Sequence, residues 1–234
     1  MKHSKSSASA SSHVLSVQQV ATFKEICSSF GIALSDDMTG QFQAYAALLL
    51  EWNNRIHLVS KGDAAPDRVL RHFVDSLCVF KAMRIPNSGN LLDIGAGAGF
   101  PSIPIKIVRN DVQMTLLESV HKKTLFLRRL LEVLGLKKVT IIDRRAEELS
   151  EEAGLVDQYD LVTAKALGRL RNTVDIGIPF LKKGGLLVAY KGREALKEIK
   201  ETDFPEEIRL KEVFEVSIEE MDLFRLLAVM EKSE

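Results

Sequence analysis

Between Leu91 and Ser102 the chain reads LLDIGAGAGFPS, a short apolar run followed by glycines at three alternate positions. Gly95, Gly97 and Gly99 remove Cβ atoms where the backbone has to turn sharply, and they let a ligand lie against bare peptide groups. Pro101 suits the first turn of a following helix, whose free N–H groups can receive a carboxylate or phosphate. A strand that runs through such a loop into a helix is a unit of an open α/β sheet, in which ligands bind outside the carboxyl ends of the strands.

The pattern downstream agrees. Short apolar runs at Leu91–Ile94, Met114–Leu117, Val139–Ile142, Leu161–Thr163 and Leu186–Tyr190 alternate with helical periodicity after Pro101, over Lys122–Leu134, near Glu147 and over Asn172–Leu181. Five buried strands separated by helices imply right-handed parallel crossovers and a doubly wound sheet. The end of the chain differs. After a helix around Glu194–Glu201, Leu210–Ile218 and Leu223–Met230 read as two strands joined tightly at Glu219–Asp222, a terminal hairpin that adds an antiparallel strand.

Before Pro86-Asn87-Ser88-Gly89 the periodicity is helical. Phe42, Tyr45, Leu48, Leu49 and Trp52 form one apolar stripe over Gln41–Ile56, on a helix that Ser35 or Asp36 could cap, and a further helix is expected over Asp67–Met83. Three segments are therefore expected: a disordered Ser/Ala-rich tail over 1–16, a helical cap over 17–85 and the α/β domain over 86–234. The cap stripe is read as packing surface.

Composition narrows the function classes. With 32 Lys+Arg against 32 Asp+Glu the formal charge is zero, so any site for a polyanion has to be local. From Ala195 onward there are 6 basic and 12 acidic residues, which leaves the earlier chain mildly basic. The run Tyr45–Leu50 is far too short to span a bilayer, and the first dozen residues lack the apolar core of a secretory signal. Cys27 and Cys78 have neither disulfide-framework nor zinc spacing, so a reducing cytoplasm is expected and no metal site.

Spacing then separates cofactor classes. A dinucleotide fingerprint would put its last glycine at position 100, where this chain has Phe100. The pattern from Asp93 is DxGxGxG, which resembles motif I of class I S-adenosylmethionine-dependent methyltransferases. Glu118, at the end of the second strand, is placed to accept hydrogen bonds from both hydroxyls of a ribose.

A longer resemblance covers most of the chain from Tyr45 to Gly192. The runs EWNNRIHLVS, RHFVDSL, LLDIGAGAGFPSIPIKIV, TLLESVHKKTLFLRRLLEVLGL, RRAEE, YDLVTAKAL and IPFLKKGGLLVAYKG, in that order, are similar to the bacterial RsmG (GidB) family of small-subunit ribosomal RNA guanine-N7 methyltransferases. The resemblance implies a Rossmann-like methyltransferase fold with a helical cap and S-adenosylmethionine as cofactor. It implies 16S ribosomal RNA, free or in the assembled small subunit, as substrate, and a monomer is expected.

Carried over by position, the resemblance places Gly95 and Phe100 against the cofactor and Ala146 and Glu147 along its adenine. The family's arginine after the fourth strand falls on Lys165, which keeps the charge and loses the planar fork. Lys165 is therefore expected beside the cofactor as the residue acting on the reaction. The family's usual Asn-Leu-Thr falls on His57-Leu58-Val59, a second departure. Arg71, His72, Arg144, Arg145 and Lys191 are the candidates for RNA contact.

The chemistry suits this inventory. Guanine N7 carries a lone pair and no proton, so its methylation needs alignment and desolvation more than a general base. The cysteines are read as packing residues, which argues against a covalent cytosine mechanism. Two rival readings remain at this level: a nucleotide-dependent oxidoreductase, and a non-enzymatic RNA-binding module on a decayed cofactor fold.

Overall fold

The computed structural model describes residues 14–152 and 154–233. Serine caps set the first two helices. The Ser16 hydroxyl accepts from Gln19 N–H while the Gln19 side chain accepts from Ser16 N–H, a capping box that starts α1 (Val17–Ser29). Ser35, of the two expected candidates, caps α2 (Asp36–Asn53) by accepting from Met38 N–H. The expected tail over 1–16 needs shortening. Residues 1–13 lie outside the described residues, but Leu15 is buried, with its N–H and C=O both bonded to the Gln43 side chain.

Pro66 opens α3 (Pro66–Leu77) at the position where a missing N–H costs nothing. The expected continuous helix to Met83 is broken. Cys78 N–H bonds three residues back to Asp75 C=O, which tightens the turn before α4 (Val79–Ala82) begins.

The α/β part follows as β1 (Asn90–Ile94), α5 (Ser102–Val108), β2 (Gln113–Leu117), α6 (His121–Leu134), β3 (Val139–Ile142), β4 (Tyr159–Lys165), α7 (Leu170–Gly177), β5 (Leu181–Lys191), α8 (Ala195–Glu201), β6 (Ile208–Ile218) and β7 (Leu223–Lys232). The sheet order is β3-β2-β1-β4-β5-β7-β6. The first five strands are parallel, and β7 runs antiparallel to both β5 and β6. The expected doubly wound sheet with a terminal antiparallel hairpin is what forms. Strand order reverses between β1 and β4, which puts the switch point at the loop after β1. The helix expected over Asn172–Leu181 ends early. Gly177 closes α7, Pro179 cannot donate to a preceding carbonyl, and Leu181 already pairs with Tyr159 in β5.

Both faces of the sheet are covered, as buried parallel strands require. Leu91, Met114, Leu116, Leu161 and Val188 face α5, α6 and the N-terminal helices, whose Phe23, Phe42 and Phe73 belong to the same core. Those rings touch directly, with centroids 4.9 Å apart for both Phe23–Phe42 and Phe42–Phe73. Leu92, Val162, Leu187 and Ala228 face α7 and α8 on the other side. The apolar stripe of α2 is thus buried within the chain, and α2 and α3 reach the loop at the switch point.

Candidate functional site

The glycine loop after β1 is held by backbone bonds on one side and by an acid on the other. Gly95 and Ala96 N–H both donate to Leu117 C=O, at 2.9 and 3.0 Å. Glu118, the residue after β2, accepts from Gly97 N–H and from Val120 N–H, both at 2.8 Å. A carboxylate has about four acceptor positions, so two remain for ligand hydroxyls. Gly95 and Gly99 have φ of 74° and 94°, a region closed to most side chains.

Asp93 lies beneath the loop. It is fully buried and accepts from Ser102 Oγ at 2.6 Å and Thr163 Oγ1 at 3.0 Å, so it braces the turn from behind. Burial pushes its carboxyl up to about 7, against the pull of the two hydroxyls and of Lys165. The expectation that the next helix offers free N–H groups is not met. Pro101 precedes the first turn, Ile103 N–H donates to Gly99 C=O, and Ser102 is buried.

On the open side of the loop is a cleft of about 120 Å³. Its walls are Ile94, Leu117 and Ala146, its floor Gly95, and its polar side Glu118 and Glu147, with Arg144 and Arg145 at the rim. Leu167, from the turn after β4, leans over Gly95, where an added Cβ would come within 3.3 Å of its Cδ1. Apolar walls beside an acid suit a purine face and ribose hydroxyls, so these residues fit an adenosyl group.

Across the loop backbone sits a second cluster. The buried Phe100 ring stacks with Tyr45, 5.5 Å away at 24°, and with His72, 5.1 Å away at 22°. Lys165 Nζ lies 5.2 Å from the Phe100 centroid and 2.7 Å from Asp75 Oδ2. Arg225 grips the same carboxylate with a fork, Nε to Oδ1 at 2.6 Å and Nη2 to Oδ2 at 2.8 Å. Burial alone would raise the Asp75 carboxyl; the two cations outweigh it and hold it below the usual carboxylate range. Burial, reinforced by Lys165, takes His72 down to about 4, so its ring is neutral at pH 7.

The sequence-predicted residues therefore separate. Gly95, Glu118, Ala146, Glu147, Arg144 and Arg145 share the cleft. Phe100, His72 and Lys165 share the aromatic cluster, and Gly97 and Gly99 form the partition between. Two RNA candidates are committed within the protein. Lys191 is mostly buried, donating to Gly168 C=O and pairing with Glu198, and Arg71 donates to Asp222 C=O. Arg144 also pairs with Glu148 and Glu152. Tyr45, Asp75, Leu167 and Arg225 went unforeseen. Only Tyr45 and Asp75 carried a signal, a polar atom on an otherwise apolar helix face.

Burial raises both Cys27 and Cys78 to about 12, so neither thiol is reactive near neutrality. Among the described residues no three His, Cys, Asp or Glu side chains cluster closely enough for a metal ion, and no helix is long and apolar enough to cross a membrane. The family model described as rRNA small subunit methyltransferase G matches residues 38–224. A Streptococcus gordonii protein of that name, ribosomal RNA small subunit methyltransferase G, is 41% identical over 180 residues, covering 76% of each chain. The protein of that name from Clostridium perfringens is 34% identical over 221 residues, covering 92% of this chain and 91% of its own. Among solved structures, a SAM-dependent methyltransferase from Aquifex aeolicus shares the fold at a TM-score of 0.52 and 17% identity, over 70% of this chain and 92% of its own.

Proposed function

Because this chain belongs to the rRNA small subunit methyltransferase G family, we propose that it transfers a methyl group from S-adenosylmethionine to N7 of a guanine in 16S ribosomal RNA. The observation that carries the reading is the glycine loop itself, with a cleft of apolar walls and acidic side chains on one side and an aromatic cluster bearing Lys165 on the other.

S-adenosylmethionine supplies a methyl carbon on a positively charged sulfur. The residues of this chain do the rest. Glu118 and Glu147 would accept from the cofactor's hydroxyl and amino groups, while Leu117 and Ala146 would cover its purine. Gly97, where an added Cβ would meet nothing closer than Gly95 O at 3.7 Å, keeps side chains out of the ligand's path. The neutral His72, partly exposed and backed by the buried Phe100, offers a ring against which an extruded base can stack. Lys165, its Nζ buried next to Phe100, contributes its positive charge to that side of the loop.

No residue has to remove a proton, since N7 has none, and alignment in a water-poor cleft is enough. Arg145, exposed at the rim, is the best remaining contact for RNA phosphate. We place the reaction in the cytoplasm, on ribosomal RNA or the small subunit, with the protein acting as a monomer. The oxidoreductase reading is disfavoured by Phe100, where a dinucleotide loop needs glycine.

The test is direct. Ribosomal RNA from cells lacking this protein is reduced with borohydride and cleaved with aniline. One scission present in the parent strain is expected to disappear, and to return when purified protein and S-adenosylmethionine are added. An unchanged cleavage pattern overturns the reading. Binding of S-adenosylhomocysteine without methyl transfer would instead favour an RNA-binding module.

A further inference from the structure

Asp75 is almost fully buried at the junction of α3, β4 and β7, between two cations that come from elements far apart in the chain. Burying a carboxylate is costly unless it is paired, and one partner would suffice for that. Here Arg225 already satisfies it with both prongs of the fork, at 2.6 and 2.8 Å. The second cation, Lys165, is therefore not needed to neutralise Asp75. The relation runs the other way: Asp75 fixes Lys165.

A lysine side chain has four rotatable bonds and no planar fork, so it holds no preferred direction by itself. In this chain its Nζ is drawn to Asp75 Oδ2 at 2.7 Å, which stations the ammonium over the face of Phe100. Its side chain is only 12% exposed, so the pairing is little screened by solvent. Asp75 in turn cannot rotate, because the Arg225 fork determines the plane of its carboxylate.

We propose that Asp75, oriented by Arg225, is a positioning residue that fixes the Lys165 ammonium beside Phe100, on the side of the glycine loop away from the adenosyl cleft. This rests on the reading of Lys165 above. Without the carboxylate the ammonium swings away from Phe100 and the acceptor base is no longer held in line with the methyl carbon. A misplacement of about 1 Å there costs up to roughly 10²-fold in rate.

The experiment is a double-mutant cycle on the full chain with ribosomal RNA, following kcat, KM for RNA, and the Kd of S-adenosylhomocysteine. Lys165→Met should lower kcat strongly and leave the Kd within about threefold. Asp75→Asn should lower kcat by a similar factor, and the combined variant should lose no more than Lys165→Met alone, because Asp75 acts only through that side chain.

If Asp75→Asn alone does not fold, the charge-balanced Asp75→Asn/Arg225→Gln variant replaces it, with the same expectation. Independent, multiplying losses, or a parallel loss of S-adenosylhomocysteine affinity, would show Asp75 to be structural and overturn the proposal. An unaffected Lys165→Met would remove the underlying reading instead, and inactive wild-type protein would remove the methyltransferase assignment.

Discussion

Two glycines two positions apart in the same loop carry opposite burdens. A Cβ on Gly99 would come within 2.7 Å of Ile103 Cγ1 and 2.8 Å of Tyr45 Oη. Gly99→Ala should therefore destabilise the fold by about 1–3 kcal/mol in denaturant titration, through overpacking and the strain of positive φ. At Gly97 the nearest protein atom to an added Cβ is Gly95 O at 3.7 Å, so the space is kept for something else. Gly97→Val fills that space and strains a backbone at φ 56°, so it should abolish S-adenosylhomocysteine binding, read by calorimetry, and lower the midpoint of a thermal transition that stays cooperative. Retained affinity would refute the placement of the ligand.

His72 gives a pH signature. Its ring titrates near 6.5 when unfolded and about 4 in the fold, so between those values the unfolded chain holds the extra proton. Its contribution to stability is complete above 6.5 and falls as pH drops toward 4. Asp93 runs the opposite way: with an unfolded value near 3.8 and a folded one of about 7, its contribution falls as pH rises through that interval. Single wild-type curves blend the two. The difference between His72→Phe and wild type isolates His72, and the variant's relative stability should increase as pH is lowered from 6.5 to 4.

At the scale of elements, what was legible in the sequence is what lies close along it. The DxGxGxG loop, Glu118 at the next strand end and Ala146-Glu147 after the third are local signals of one βαβαβ run, and Gly95, Glu118, Ala146 and Glu147 share a cleft. The Asp75–Arg225 pair could not be read, since its members are 150 residues apart and each lies in an ordinary helix or strand pattern. Tyr45 showed a polar atom on an apolar stripe but not its partner, Ala98 C=O, to which its hydroxyl on α2 donates at 2.5 Å. Charge alone misled at Lys191, because a strand-end lysine looks alike whether it faces RNA or a nearby helix. Glu198 of α8 accepts from Leu170 N–H and pairs with Lys191, which itself holds Gly168 C=O. Glu198→Ala should release the turn that carries Leu167, seen as faster hydrogen exchange of the Ala166–Leu170 amides with the sheet amides unchanged.

For the molecule as a whole, the change of pattern at Pro86 marks where strands begin, while the core runs on through it. Phe23, Phe42 and Phe73 pack in the same cluster as Leu91, Ile103 and Phe126. A fragment spanning 86–234 would expose the part of that apolar core which α1, α2 and α3 cover. It should show no dispersed amide spectrum and no cooperative melt, and a well-folded fragment would disprove this dependence.

The position of β7 has its own consequence. The strand written last lies inside the sheet, between β5 and the edge strand β6. Hence β6 joins the sheet only through β7, and among the described residues no other strand borders it. Arg225 lies on β7. Closing the sheet and clamping Asp75 are therefore one event, so a molecule caught short of completion retains its glycine loop and lacks its anchored ammonium.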